Sequence, residues 1–186
     1  MPAPPTPLGP HPSPSRLPHL LNLGLVLGLW IYAAVTYDDL PQRFATHFDA
    51  AGQADGWAAK SWGLWLLLPI VALFSTACFY AIYPAIRWAR NNPALLSMPY
   101  KDELLALPDA QQAPVWRKTG DLGAILCVPT NAIFVYLQLA MGRAALGSDT
   151  GVTIWPIWVL LAAVVVLSIV LIWDLIRTVK RVVGRA

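Results

Sequence analysis

The residues with the most chemistry to offer lie between positions 38 and 60, in the string DDLPQRFATHFDAAGQADGWAAK. His47 stands two residues before Asp49 and eight before Asp55. Imidazole is the side chain that titrates near neutrality, so this set suggests three roles: a hydrogen bond within its own loop, recognition of a partner, or a metal or proton-responsive site. A zinc centre needs three or four ligands, and one histidine with a few carboxylates does not supply them. The spacing from Asp49 to Asp55 also lacks the alternating oxygen ligands and terminal glutamate of a calcium loop. No metal and no cofactor are therefore expected. Asp49-Ala50-Ala51-Gly52 and Asp55-Gly56 are turn formers, because aspartate bonds nearby amides and glycine accepts positive φ. The run Arg43–Phe48 alternates imperfectly and predicts a stub of strand entering the Asp49 turn. Trp57 and Trp62 flank Lys60, as indoles with a snorkelling lysine do at a lipid head-group boundary.

A second polar group, Thr130 and Asn131 after Pro129, with Gln138 further on, falls inside an otherwise uncharged stretch. Asparagine in hydrocarbon needs a partner, so Asn131 is expected to face other helices, either bonding them together or lining a polar path. No ionisable side chain accompanies it, which argues against a proton-coupled transporter or an intramembrane protease. The chain also lacks a Ser-His-Asp set, a zinc motif and a phosphate-cradling glycine loop, so it is not expected to be an enzyme.

What must position these residues follows from the distribution of charge. Only 12% of the 186 residues are charged and 57% are hydrophobic. Uncharged stretches run over Leu17–Tyr37, Ser61–Ile86, Leu122–Gly142 and Thr150–Trp173, 92 residues in all. A hydrocarbon core of about 30 Å needs about 20 apolar residues in helix. Four such stretches exclude a soluble enzyme, a nucleic-acid-binding domain and a disordered chain. They predict an all-α membrane protein of four transmembrane helices, with a small structured outer loop between helices one and two. The expected spans are Leu20–Val35, Trp62–Tyr83 with a kink at Pro69, Leu122–Met141 and Trp155–Trp173. Residues 1–19, with eight prolines, read as a disordered tail. Residues 20–86 hold the first two spans, 87–120 a cytoplasmic loop with a short helix near Lys101–Leu107, and 121–186 the last two spans and a basic tail. Arg16 followed by an apolar run resembles a signal peptide, but the run is too long and ends in Trp30, Tyr32 and Tyr37, as an uncleaved span would. Cys78 and Cys127 fall inside spans and read as small apolar residues unless helices two and three place them side by side.

Orientation comes from Lys and Arg. With the N-terminus inside, Arg16, Arg87, Arg90, Lys101, Arg117, Lys118, Arg177, Lys180, Arg181 and Arg185 are cytoplasmic, and only Arg43, Lys60 and Arg143 are outside. The net charge of +3 is thereby explained without nucleic acid. Both termini are expected in the cytoplasm of a multi-pass plasma membrane protein, the bacterial inner membrane being the setting. Arg177, Lys180 and Arg181 share a helix face suited to anionic lipid.

The string Leu40-Pro41-Gln42-Arg43, then Thr46-His47-Phe48-Asp49, Gly52, and Asp55-Gly56-Trp57 with Lys60, resembles the membrane domain of unknown function numbered 1648. The likeness covers about Ile31 to Pro69. Ala45 and Ala54 stand where that family usually has proline, which relaxes the loop without touching His47, Asp55 or Trp57. The resemblance implies a recognition loop of Pro41, His47, Phe48, Asp49, Gly52, Asp55, Gly56, Trp57 and Lys60. It also implies a non-enzymatic receptor, like the immunity and signalling proteins that protect against a secreted sporulation-delay toxin and hold a repressor at the membrane. Those proteins have more spans than this chain. On that basis the outer loop meets a peptide or envelope ligand, and the 87–120 loop meets a cytoplasmic protein. A small transporter, or an accessory subunit of one, is the alternative. Orientation is testable directly. In a background with Cys78 and Cys127 replaced by Ala, an Asp55→Cys chain should react with an impermeant maleimide on intact cells, whereas labelling only after lysis would reverse the topology.

Overall fold

In the computed structural model, residues 15–147 and 151–184 are described. The expected Pro-rich tail lies outside them except for its last few residues, and Arg16–His19 already belong to the first helix. That helix, α1, runs over Arg16–Thr36. Then come strands β1 (Arg43–Phe48) and β2 (Ala54–Ala59), a short α2 (Trp62–Trp65) and α3 (Leu67–Arg90). A 3-10 turn at Pro93–Leu95 leads to α4 (Lys101–Ala106), α5 (Asp109–Ala145) and α6 (Trp155–Val183).

Helices α1, α3, α5 and α6 are each long and apolar enough to cross a membrane. None of the most apolar window of α6 is buried, against 28% for α5. Helix α5 is the one the others pack on, and α6 lies at the periphery, showing Trp158, Val166 and Ile169 to the surroundings. Large apolar side chains left exposed over whole helices are what a lipid solvent would cover.

Two expectations need correction. The chain is not all-α, because β1 and β2 pair antiparallel. The Ala-Asp-Gly-Trp-Ala-Ala run of β2 has little strand preference of its own, and its pairing with β1 makes it a strand. The 87–120 segment is not one loop, since α3 continues to Arg90 and α5 begins at Asp109. Charges mark where hydrocarbon would end, not where a helix must. The first turns of α5 bury Val115 and Trp116 with Leu104 of α4 and Val179 of α6, so they hold their helix by packing. Arg90 is buried there, bonded to Asp109 at 2.6 Å and resting over the Trp116 ring at 5.1 Å.

The kink expected from Pro69 takes the form of a break at Leu66, one turn before the proline, between α2 and α3. Proline has no N–H and crowds the carbonyl four residues before it, here that of Trp65. Gln138 of α5 donates its Nε2 to that carbonyl at 3.2 Å, replacing the lost donor.

Asn131 joins helices through side chains. Its amide reaches Asn22 of α1 and Thr76 of α3, both at 3.1 Å, while Asn22 donates to the Ala124 carbonyl at 2.8 Å. Thr130 instead bonds back to Leu126 in its own helix. Cys127 is buried within the Asn131–Thr76 cluster and Cys78 is exposed, both as free thiols. Small residues bring the helices close. A Cβ at Gly123 would lie 2.4 Å from the Phe79 carbonyl oxygen, which is backbone and cannot swing aside. Gly123→Ala should therefore cost about 1–3 kcal/mol by forcing α3 and α5 apart. Asn131→Leu should cost less, about 0.6–2 kcal/mol. Denaturant unfolding in detergent micelles, followed by circular dichroism, measures both.

Candidate recognition site

The hairpin is built from its turn outward. Asp49 closes it. Its amide donates to the Gln53 carbonyl at 2.8 Å, and its Oδ1 accepts from the Ala51 and Gln53 amides, each at 2.8 Å. Gly52 takes φ +81° there. Strand β1 meets β2 in the register Arg43↔Ala59, Phe44↔Ala58, Ala45↔Trp57, His47↔Gly56 and Phe48↔Ala54, with irregularities on either side of His47.

His47 and Asp55 come together across this ladder, Nδ1 to Oδ1 at 2.5 Å. Gly56, opposite His47, leaves room for the imidazole, since a Cβ there would sit 2.9 Å from His47 Cβ. The side chains are 73% and 46% exposed. An exposed pair of this kind contributes about 0–1 kcal/mol, so it shapes the surface more than it holds the fold. Among the described residues, no three of His, Cys, Asp and Glu gather as metal ligands.

Below the hairpin lies a small core of Ala33, Leu40, Phe44 and Trp65. Phe44 meets Trp65 edge-on at 5.7 Å, and Trp65 donates its indole N–H to the Ala33 carbonyl at 2.8 Å. Lys60 is held by backbone carbonyls and an aromatic ring. Its ammonium donates to the carbonyls of Asp38 and Leu40, both at 3.0 Å, and lies 4.9 Å from the centre of the Tyr37 ring. It ties the end of β2 to the end of α1. Tyr37 in turn stacks on Trp62 at 3.6 Å. Pro41 and Trp57 are exposed on the hairpin's surface.

Sequence reasoning missed the segment after α5. Val152 donates its amide to the Gly52 carbonyl at 2.8 Å, Gln53 bridges to Gly151, and Val152 is buried. The glycine-rich character of that connection was the one available signal. Together the two connections roof a pocket of about 300 Å³. Thr46, His47, Phe48 and Asp49 line it from the hairpin. Leu68, Leu137, Met141, Val152, Ile154 and Ile157 line it from the helices and the second connection. The structure thus gathers His47, Phe48 and Asp49 at one cavity, with Asp55 and Gly56 behind His47. Thr130 and Asn131 stay in the helix bundle, and Gln138 approaches the hairpin only through Trp65.

Residues 24–73 match the model of a domain of unknown function, DUF1648. The match takes in most of α1, the whole hairpin and the first turns of α3, so the DUF1648 segment and the hairpin end coincide. An uncharacterised protein of Archaeoglobus fulgidus is 33% identical over 82 residues, covering 42% of this chain. The match covers 43% of that relative's own length. No solved structure matches the chain. Within the DUF1648 segment, Gly52 is the position most sensitive to a side chain. A Cβ there would fall 1.9 Å from the Val152 carbonyl oxygen, and positive φ costs a non-glycine residue about 1–2 kcal/mol. Gly52→Ala should release the second connection while leaving the helices intact. Hydrogen exchange at the Val152 amide, faster in the variant and unchanged at Asn131, is the expected result.

Proposed function

We propose that this chain is a non-enzymatic membrane receptor, immunity-like or signalling in character, whose hairpin end faces outward and takes the apolar part of a peptide or envelope amphiphile. One observation carries the reading. The pocket beneath the hairpin has an apolar wall from Leu68, Leu137, Met141 and Ile157 and a polar rim from His47 and Asp49, side by side. Such a site suits a ligand with an apolar anchor and a polar neighbour. At the far end, Trp88, Leu95 and Tyr100 are exposed by 61%, 55% and 43%, around the turn that joins α3 to α4. On this proposal they meet the cytoplasmic partner. The transporter alternative draws support from Gln138, whose Oε1 is buried without a hydrogen-bond partner. It is the weaker reading, because Asn131 and the Gln138 Nε2 are committed to joining helices.

The test is survival of cells challenged with the secreted sporulation-delay toxin peptide. Wild type should protect. Ile157→Trp, which fills the pocket, and His47→Ala, which strips its rim, should lower protection by about tenfold or more at equal membrane abundance, as the loss of about 1.4 kcal/mol of binding would. Undiminished protection in both variants would sink the pocket, and no protection by wild type would sink the immunity-like reading.

A further inference from the structure

Helix α6 does not stop where its apolar stretch ends at Trp173, but runs on through Asp174 to Val183. One face of this extension is fixed to the bundle. Thr178 and Val179 are buried there, and Leu175, Val182 and Val183 pack against the cluster that holds Leu104 of α4 and Val115 of α5. Trp173, Arg177, Lys180 and Arg181 fall on the opposite face at helical spacing, and all four are exposed. Because the first face is packed, the direction of the second is set by the core.

The charge on that exposed face is not neutralised. Asp174 is the one acidic residue of α6, and Lys118 of α5 holds it in an ion pair. At the same end of the bundle Asp109 bonds Arg90, Asp102 lies beside Lys101, and Asp121 accepts from the Ser15 amide. Among the described residues, Arg177, Lys180 and Arg181 pair with no carboxylate. Arg177 instead lays its guanidinium on the Trp173 ring, 3.3 Å from its centre. That contact holds the side chain in place and leaves its charge available.

The level of this face along the helix decides what it meets. Val166, Ile169 and Ile172 are exposed up to Trp173, and none of the most apolar window of α6 is buried. With hydrocarbon against that surface, an indole at its end sits among the head groups. The polar layer on each side of a bilayer is about 5–7 Å deep. Arg177 lies one turn, about 6 Å, beyond Trp173, and Lys180 and Arg181 about 10–12 Å beyond. Their long side chains reach back to the same layer.

We propose that this face binds the head groups of anionic phospholipids, with Arg177 on the phosphate and Lys180 and Arg181 adding attraction. A zwitterionic head group offers the same phosphate but carries its own cation, so the face selects lipid by net charge. Free phosphate shares the chemistry, but it has no reason to gather where an apolar helix surface ends.

Titration of phosphatidylglycerol or phosphatidylcholine into the delipidated full chain in mild detergent tests it, with bound lipid counted by native mass spectrometry. Wild type should prefer phosphatidylglycerol. Arg177→Gln should weaken its binding about fivefold, and Arg177→Gln with Lys180→Gln about tenfold or more, while phosphatidylcholine binding stays as it was. Arg43→Gln with Lys101→Gln removes the same charge from elsewhere on the molecule and should bind as wild type does. Equal binding of the two lipids by wild type, or equal weakening in the two double variants, would overturn the proposal. Displacement of phosphatidylglycerol by inorganic phosphate would overturn it too, since the face would then serve a soluble anion.

Discussion

Trp65 stands where the hairpin meets three helices, and each of its polar groups has a partner. The indole N–H donates to Ala33 of α1, and the carbonyl accepts from Gln138 of α5. Its ring packs against Phe44 of β1 and beside Tyr32. The reason is the backbone. Pro69 deprives the Trp65 carbonyl of its helical donor, and in an apolar surround an unpaired carbonyl is costly. Gln138 supplies the replacement from another helix, so the break between α2 and α3 becomes a joint with a fixed direction. The hairpin is then aimed by that joint, by Lys60 on the carbonyls of Asp38 and Leu40, and by the Val152 amide on Gly52.

The same logic separates what holds the hairpin from what the hairpin presents. Leu40, Phe44 and Trp65 are buried and satisfied, and their loss would undo the end of the bundle. His47, Asp55 and Trp57 are exposed, and the His47–Asp55 pair is of a kind that adds little to stability. The exposed imidazole and carboxylate sit on a two-stranded ladder, with a pocket beginning at the next residues. Stability therefore lies in the core below the hairpin, and the rim is left as exposed surface.

Much of this was legible in the sequence. Uncharged stretches predicted the four long helices, because helix length and lipid thickness are set by the same rise per residue. Asp49 and Gly52 predicted the turn, and Arg43–Phe48 predicted β1. Strand β2 was not legible, since Ala54–Ala59 has no alternation or β-branched residue and owes its conformation to a partner. Nor was the extension of α5 from Asp109, because Arg117, Lys118 and Asp121 signal the end of hydrocarbon rather than the end of helix. Lys60 looked like an interface lysine by its tryptophan neighbours. Its hydrogen-bond partners, the carbonyls of Asp38 and Leu40, are about twenty residues away, and local pattern cannot show them.

The pocket beneath the hairpin was invisible for the same reason, in sharper form. Its rim comes from Thr46–Asp49 and its walls from Leu137, Met141, Val152 and Ile157, about a hundred residues later. Leu137 and Met141 share a face of α5, which in sequence is only the spacing of any packed helix. What converts that ordinary spacing into a cavity wall is the Gly52–Val152 contact, possible because position 52 has no Cβ. A glycine that sequence reads as a turn former thus also serves as a docking point for the second connection. The hairpin and that connection are therefore one unit, and the DUF1648 segment forms this pocket only together with residues outside it.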